Sequence, residues 1–230
     1  MKPTIIERKY EGETAILVAT GPSLNNDQIG IVHKAHTAGN CRVITVNNSY
    51  QLAPWADAHM ACNDNWWRHY WPIDPVLREM KADKYTRYKD IAKDYGILYI
   101  HTIVKDGLST DPSVLHINHG SGPLGINLAL LYGIKKLLLI GHDMKFSKDY
   151  NGRRKKAGSK PRHFFGEYPK ELSHWPSVKV GLSKPGVLDG LIEAYKKMVP
   201  QLPSIGMEVI NCTPDSELKC FPMSTLEKEL

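Results

Sequence analysis

Unbroken aliphatic and β-branched runs recur along the chain, at Thr14 to Thr20, Cys41 to Asn47, Ala56 to Cys62, Ile97 to His101, Lys136 to Gly141 and Glu208 to Cys212. Several are apolar throughout rather than alternating, the pattern of strands covered on both faces. Helical spacing falls between them. Gly122 to Tyr132 reads as a helix closed by Gly133, and Pro185 to Leu202 keeps Leu188, Leu191, Ile192, Tyr195, Val199 and Leu202 at helical spacing. Both end just before a strand, as βαβ units require. The expectation is an α/β fold with a single doubly wound, mostly parallel, Rossmann-like sheet, residues 1–230 forming one domain.

Composition adds one feature to that picture. The chain carries a formal charge of +6, yet Lys145 to Arg162 alone holds eight Lys or Arg against Asp149, for +7, so the remainder is −1. This stretch is rich in Gly, Ser and Pro and directly follows a strand end, where open α/β sheets bind ligands. It reads as a basic loop or lid within residues 145–175 that meets phosphate, or as a solvated loop. No apolar run approaches the eighteen or so residues that cross a bilayer, and Met1 to Lys9 breaks into charge before an apolar leader could form. A cytoplasmic protein without a membrane span is expected. Cys41, Cys62, Cys212 and Cys220 lack metal-ligand spacing and read as reduced and structural.

Three turns at strand ends carry candidate chemistry. In Thr20-Gly21-Pro22-Ser23 a glycine allows a sharp turn, and amides near Ser23 could receive an anion at the start of the next helix; the same residues also make a plain strand-to-helix turn. This is neither GxGxxG nor GxxxxGK[ST], which disfavours a Rossmann dinucleotide site and a P-loop kinase. Asn47 and Asn63 each follow a strand and offer side-chain amides to a base, ribose or sugar edge. Ser121-Gly122 opens a helix with free amides, while His142 and Asp143 project from a strand end, where Asp143 could equally brace a loop.

Gly21-Pro22-Ser23-Leu24, Asn47 with Tyr50, Ser121-Gly122, Gly141-His142-Asp143-Met144 and Ser173-His174-Trp175 resemble, in order, the motifs of the bacterial sialyltransferases that use CMP-sugar donors. His163-Phe164-Phe165-Gly166-Glu167-Tyr168-Pro169, with Val209 to Pro214 and Phe221-Pro222-Met223, is similar to bacteriophage-encoded proteins related to that superfamily. Archaeal pterin diphosphokinase-like proteins share the Gly-Pro-Ser-Leu start. The resemblance implies a glycosyltransferase A type variant, with Thr20, Gly21, Pro22, Ser23, Asn47, Asn63, Ser121, Gly122 and Asp143 around a donor nucleotide. It also implies His174 as general base, and Tyr150 near the phosphate-binding tyrosines. Two positions depart from the family pattern, Lys145 for an aromatic and His142 for an aliphatic residue.

Glycosyl transfer needs the acceptor hydroxyl deprotonated and the leaving phosphate neutralised. A histidine, His174 or alternatively His163, can do the first, and Tyr150 with Arg153 and Arg154 the second. No Asp-x-Asp pair is present, so neither a metal nor a cofactor beyond the nucleotide sugar is expected. The basic stretch makes a polyanionic acceptor, such as a modified base in phage DNA, the expected partner. The rival readings are a diphosphokinase using ATP and magnesium, and a non-enzymatic nucleic-acid-binding or assembly protein.

Overall fold

The computed structural model describes residues 1–117, 119–145, 164–165, 168–169, 172 and 187–230. In chain order the strands are β1 (Thr14–Val18), β2 (Arg42–Val46), β3 (Ala58–Met60), β4 (Asp83–Thr86), β5 (Leu98–Tyr99), β6 (His101–Val104), β7 (Val114–Ile117), β8 (Lys136–Ile140) and β9 (Glu208–Asn211). The helices are α1 (Asn26–Thr37), α2 (Asp64–Ile73), α3 (Pro75–Glu79), α4 (Lys89–Tyr95), α5 (Ser121–Leu131), α6 (Val187–Lys196), α7 (Leu202–Ile205) and α8 (Leu226–Glu229). Seven strands make one sheet in the order β5-β4-β3-β2-β1-β8-β9, and β6 pairs only with β7. Every one of these pairings is parallel.

The central strands explain the unbroken apolar runs. Ala15 and Leu17 of β1 join Ile44, Val46, Leu137 and Leu139 in one core layer with Leu124, Ile126 and Leu128 of α5 and Tyr195 of α6. Ile16 and Val18 face the other way, with Val43, Leu138 and Ile140, onto Val32 of α1 and Trp66, Trp67 and Tyr70 of α2. Successive strand residues point to opposite faces, so a strand buried on both sides must be apolar at every position.

The chain winds outward from β1 to β5, then crosses by β6, β7 and α5 to β8 on the other flank of β1. The winding direction therefore reverses between β1 and β8, which makes their carboxyl ends the topological switch point at which doubly wound sheets hold ligands.

The structure refines several sequence expectations. The run ending at His101 divides: Leu98–Tyr99 closes the main sheet, and His101–Val104 starts the small second one. Strands β4 and β7 carry no continuous apolar signal, since β4 is Asp-Lys-Tyr-Thr with its first two residues half-buried. The last long helix stops at Lys196, and Val199–Gln201 forms a 3-10 turn containing Pro200, which has no amide to continue an α-helix.

Helix α5 is buried almost all round, and Asn127 is its one polar side chain with no exposure. Its Oδ1 accepts from the backbone amides of Ser109 and His116, both at 3.0 Å, and its Nδ2 donates to Ser109 O at 2.8 Å. Replacing Asn127 by Leu leaves two donors and an acceptor buried without partners. The expected loss is about 3 kcal/mol of unfolding free energy in urea titration; a loss within the roughly 0.5 kcal/mol typical of surface substitutions would contradict this role.

Candidate functional site

The parallel registers align the strand ends. Val18 pairs with both Thr45 and Ile140, Val46 with Met60, and Met60 with Tyr85. The residues that follow each strand therefore form one rim: Thr20 to Ser23 after β1, Asn47 after β2, Cys62 and Asn63 after β3, Arg87 after β4, and Gly141 to Asp143 after β8.

At the switch point the two flanking turns are tied together. The Gly21 amide donates to Gly141 O at 2.9 Å. The Ser23 amide donates to Asp143 Oδ1 at 3.1 Å, and its hydroxyl to Oδ2 at 2.9 Å. A Cβ on residue 21 would lie 1.9 Å from Asp143 Oδ2 and 2.4 Å from Gly141 O, so only glycine fits. Asp143 thus acts as a brace, with both carboxylate oxygens engaged by Ser23. Burial raises its pKa above the ordinary carboxylate value, against the lowering effect of the Ser23 hydrogen bonds.

Thr20 is buried, and its carbonyl accepts the Phe164 amide at 2.9 Å. Pro22 and Ser23 are half-exposed at the turn. Asn47 holds the left-handed conformation, φ 52°, which asparagine tolerates better than most residues. Its Oδ1 accepts from the Ser121 hydroxyl at 3.0 Å, and the same hydroxyl accepts from the Cys62 amide at 3.2 Å. Ser121 therefore links the ends of β2 and β3 to the start of α5, and its hydroxyl orients the Asn47 side chain. Asn63, exposed at the head of α2, has no side-chain capping bond.

Before α5, His119 and Gly120 both take positive φ, 57° and 96°, and no side chain caps the helix. Its first amides and the positive end of its dipole face the rim, an arrangement suited to an anion. Gly122 is required by packing, because a Cβ there would lie 2.0 Å from the Tyr195 hydroxyl and 3.4 Å from His142 Nε2. His142 itself is fully buried, with Nδ1 3.1 Å from Ile140 O. Burial drives its pKa down to about 4 against that carbonyl's effect, so the ring is neutral at physiological pH. Burial also pushes the thiols of Cys41 and Cys62 up to about 11 and that of Cys212 to about 12, which keeps them protonated.

The rim thus brings together Thr20, Gly21, Pro22, Ser23, Asn47, Asn63, Ser121, Gly122 and Asp143. His163, His174, Tyr150, Arg153 and Arg154 lie outside the described residues, as does nearly all of the basic stretch. Among the described residues no cluster of His, Cys, Asp and Glu is arranged to hold a metal ion, and no helix is long and apolar enough to cross a membrane. Sequence reasoning overlooked Arg87, because β4 itself went unrecognised; a strand ending at Thr86 would have placed the next residue on the rim.

No protein-family model and no curated protein sequence matches the chain. Two solved glycosyltransferases share its fold. A sialyltransferase from Campylobacter jejuni, determined with the substrate analogue cytidine-5'-monophosphate, superposes with a TM-score of 0.53 at 14% identity, over 94% of this chain and 86% of that one. The MAf glycosyltransferase from Magnetospirillum magneticum AMB-1 gives 0.51 at 13% identity over 99% of this chain. This chain spans only 36% of the Magnetospirillum protein's length. At these identities the likeness establishes the fold, a mostly parallel Rossmann-like α/β sheet.

The brace gives a prediction with a definite sign. The native carboxyl of Asp143 holds its proton to higher pH than the unfolded one, whose pKa is near 3.9. Stability from this group therefore falls as pH rises from the unfolded value through the raised native one, and the cost persists at neutral pH. Asp143→Asn should remove that dependence, so urea titrations of variant and wild type should diverge in the variant's favour on going from pH 4 to neutrality. Asp143→Ala should lose about 2 kcal/mol through the missing Ser23 bonds. Parallel pH profiles for wild type and Asp143→Asn would refute the assignment.

Proposed function

We propose that the chain is a glycosyltransferase that binds a nucleotide-activated sugar across the rim between β1 and β8 and the start of α5. The observation that carries this reading is the meeting, at one switch point, of the uncapped start of α5 with the braced Gly21 to Ser23 turn and the oriented Asn47 side chain. The shared fold with two glycosyltransferases, one solved with a cytidine nucleotide, supports it.

In this reading the amides of Ser121 and Gly122 receive phosphate, where aligned peptide dipoles stabilise negative charge. Asn47 and Asn63 offer amide donors to ribose or sugar hydroxyls. Thr20 to Ser23 form the wall against the nucleoside, held in shape by Asp143. His174 serves as general base toward the acceptor hydroxyl, with His163 as the alternative, and Tyr150, Arg153 and Arg154 offset the charge of the leaving phosphate without a metal ion. His142 is unsuited to the base role, because it is enclosed and its lone pair is weakly basic. The charge of +7 between Lys145 and Arg162 favours a polyanionic acceptor such as DNA.

Calorimetry with CMP, UDP and ATP tests the donor. A cytidine or uridine nucleotide should bind, and Asn47→Ala should weaken it by about tenfold, the equivalent of one good hydrogen bond. Binding of ATP alone would favour the diphosphokinase reading.

The base is tested separately. His174→Ala should abolish transfer, with or without EDTA present, while nucleotide affinity stays within about twofold, since a base acts on the acceptor. Full turnover in that variant would move the role to His163.

A further inference from the structure

Arg87 stands apart from the other cations of the described chain. It follows β4 directly, and extending the Met60 to Tyr85 register by two residues sets it level with Cys62. Its positive charge partly offsets the upward push that burial gives the Cys62 thiol, in keeping with that level. It is half-buried against the Tyr88 ring, 5.3 Å from the ring centroid.

Among the described residues no carboxylate pairs with Arg87. The nearest acids in sequence are committed elsewhere: Asp90 pairs with Arg68, and Asp83 with Lys9 and the Tyr132 hydroxyl. A partly desolvated guanidinium without a counter-ion is costly in isolation, and its planar fork suits a carboxylate or phosphate held bidentately. Neighbouring strands lie about 4.8 Å apart, so the end of β4 is roughly 10 Å from Asn47 at the end of β2. That is the reach of a sugar ring and its substituents beyond a phosphate held at α5. Asn63 lies on the strand end between them.

We propose that Arg87 is a specificity-determining residue that binds an anionic group, a carboxylate or phosphate, carried by the part of the substrate lying beyond the donor phosphate. This rests on the glycosyl-transfer reading of the rim. The anion could sit on the transferred sugar or on the acceptor, and the chemistry that Arg87 recognises is the same in both.

Two matched probe pairs separate these sources. UDP-glucuronate against UDP-glucose differs by a carboxylate on the donor sugar, and glucose 6-phosphate against glucose by a phosphate on an acceptor-like sugar. Binding is measured by calorimetry on the full chain, the second pair with and without CMP. In at least one pair the anionic member should bind wild type about tenfold more tightly than the neutral one. Arg87→Gln should erase that preference, Arg87→Lys should keep part of it, and CMP affinity should stay within about twofold in both variants, with thermal midpoints unchanged. The proposal is overturned by equal binding within both pairs, by a preference that survives Arg87→Gln, or by a parallel fall in CMP affinity, which would assign Arg87 to the donor phosphate. Failure of wild type to bind any nucleotide would refute the transferase reading, and the glucose 6-phosphate pair without CMP would still decide the role of Arg87.

Discussion

The contact on which the site depends is the union of β1 with β8, completed beyond the strands by Ser23 on Asp143 and Gly21 on Gly141. These strands come from opposite ends of the winding path, and neither turn keeps its shape alone. Gly21 has no room for a side chain because the carboxylate stands where one would be. Ser23 supplies two donors to the buried carboxyl, which offset part of the cost that burial places on its charged form. Removing either partner leaves a desolvated polar group, which makes the joint far more sensitive than an exposed ion pair such as Arg8 with Glu11.

A second dependency runs through Ser121. Its single hydroxyl accepts a hydrogen bond from the Cys62 amide and donates one to Asn47 Oδ1, so three chain segments remote in sequence share one oxygen. Packing fixes the same helix start from behind. Tyr195 of α6 fills the space over Gly122, and Leu191 approaches Gly120 to within 3.3 Å of where its Cβ would be. Hydrogen bonds hold the outer side of the mouth of α5, and aromatic packing its inner side.

The sheet was legible where burial on both faces forces apolar residues at every position, as in Ala15 to Val18 and Leu137 to Ile140. It was not legible in β4, next to the edge strand of the main sheet, or in β7, which pairs only with β6 in the small second sheet; the composition of both, seen in Lys84 and His116, follows from those places. Gly21, Ser23, Asn47 and Ser121 could be picked out because turns and helix starts have a chemical vocabulary. Their mutual bonds could not, since Ser23 and Asp143 are 120 positions apart and no local pattern reports a long-range partner. Arg87 was missed for the same reason: an arginine gains meaning only from the strand it terminates.

The winding order also bears on how the molecule is made. Val18 is paired on one side by β2 soon after it emerges, but its partner on the other side is Ile140. At ribosomal rates of about 5–20 residues per second, the apolar flank of β1 waits on the order of ten seconds for the strand that covers it. Through that interval the nascent chain presents an open, water-repelling sheet edge with backbone donors and acceptors unmatched. Slow codons between the β2 and β8 coding regions, or a shortage of chaperone, should lower the yield of folded protein more than the same disturbance placed after residue 140.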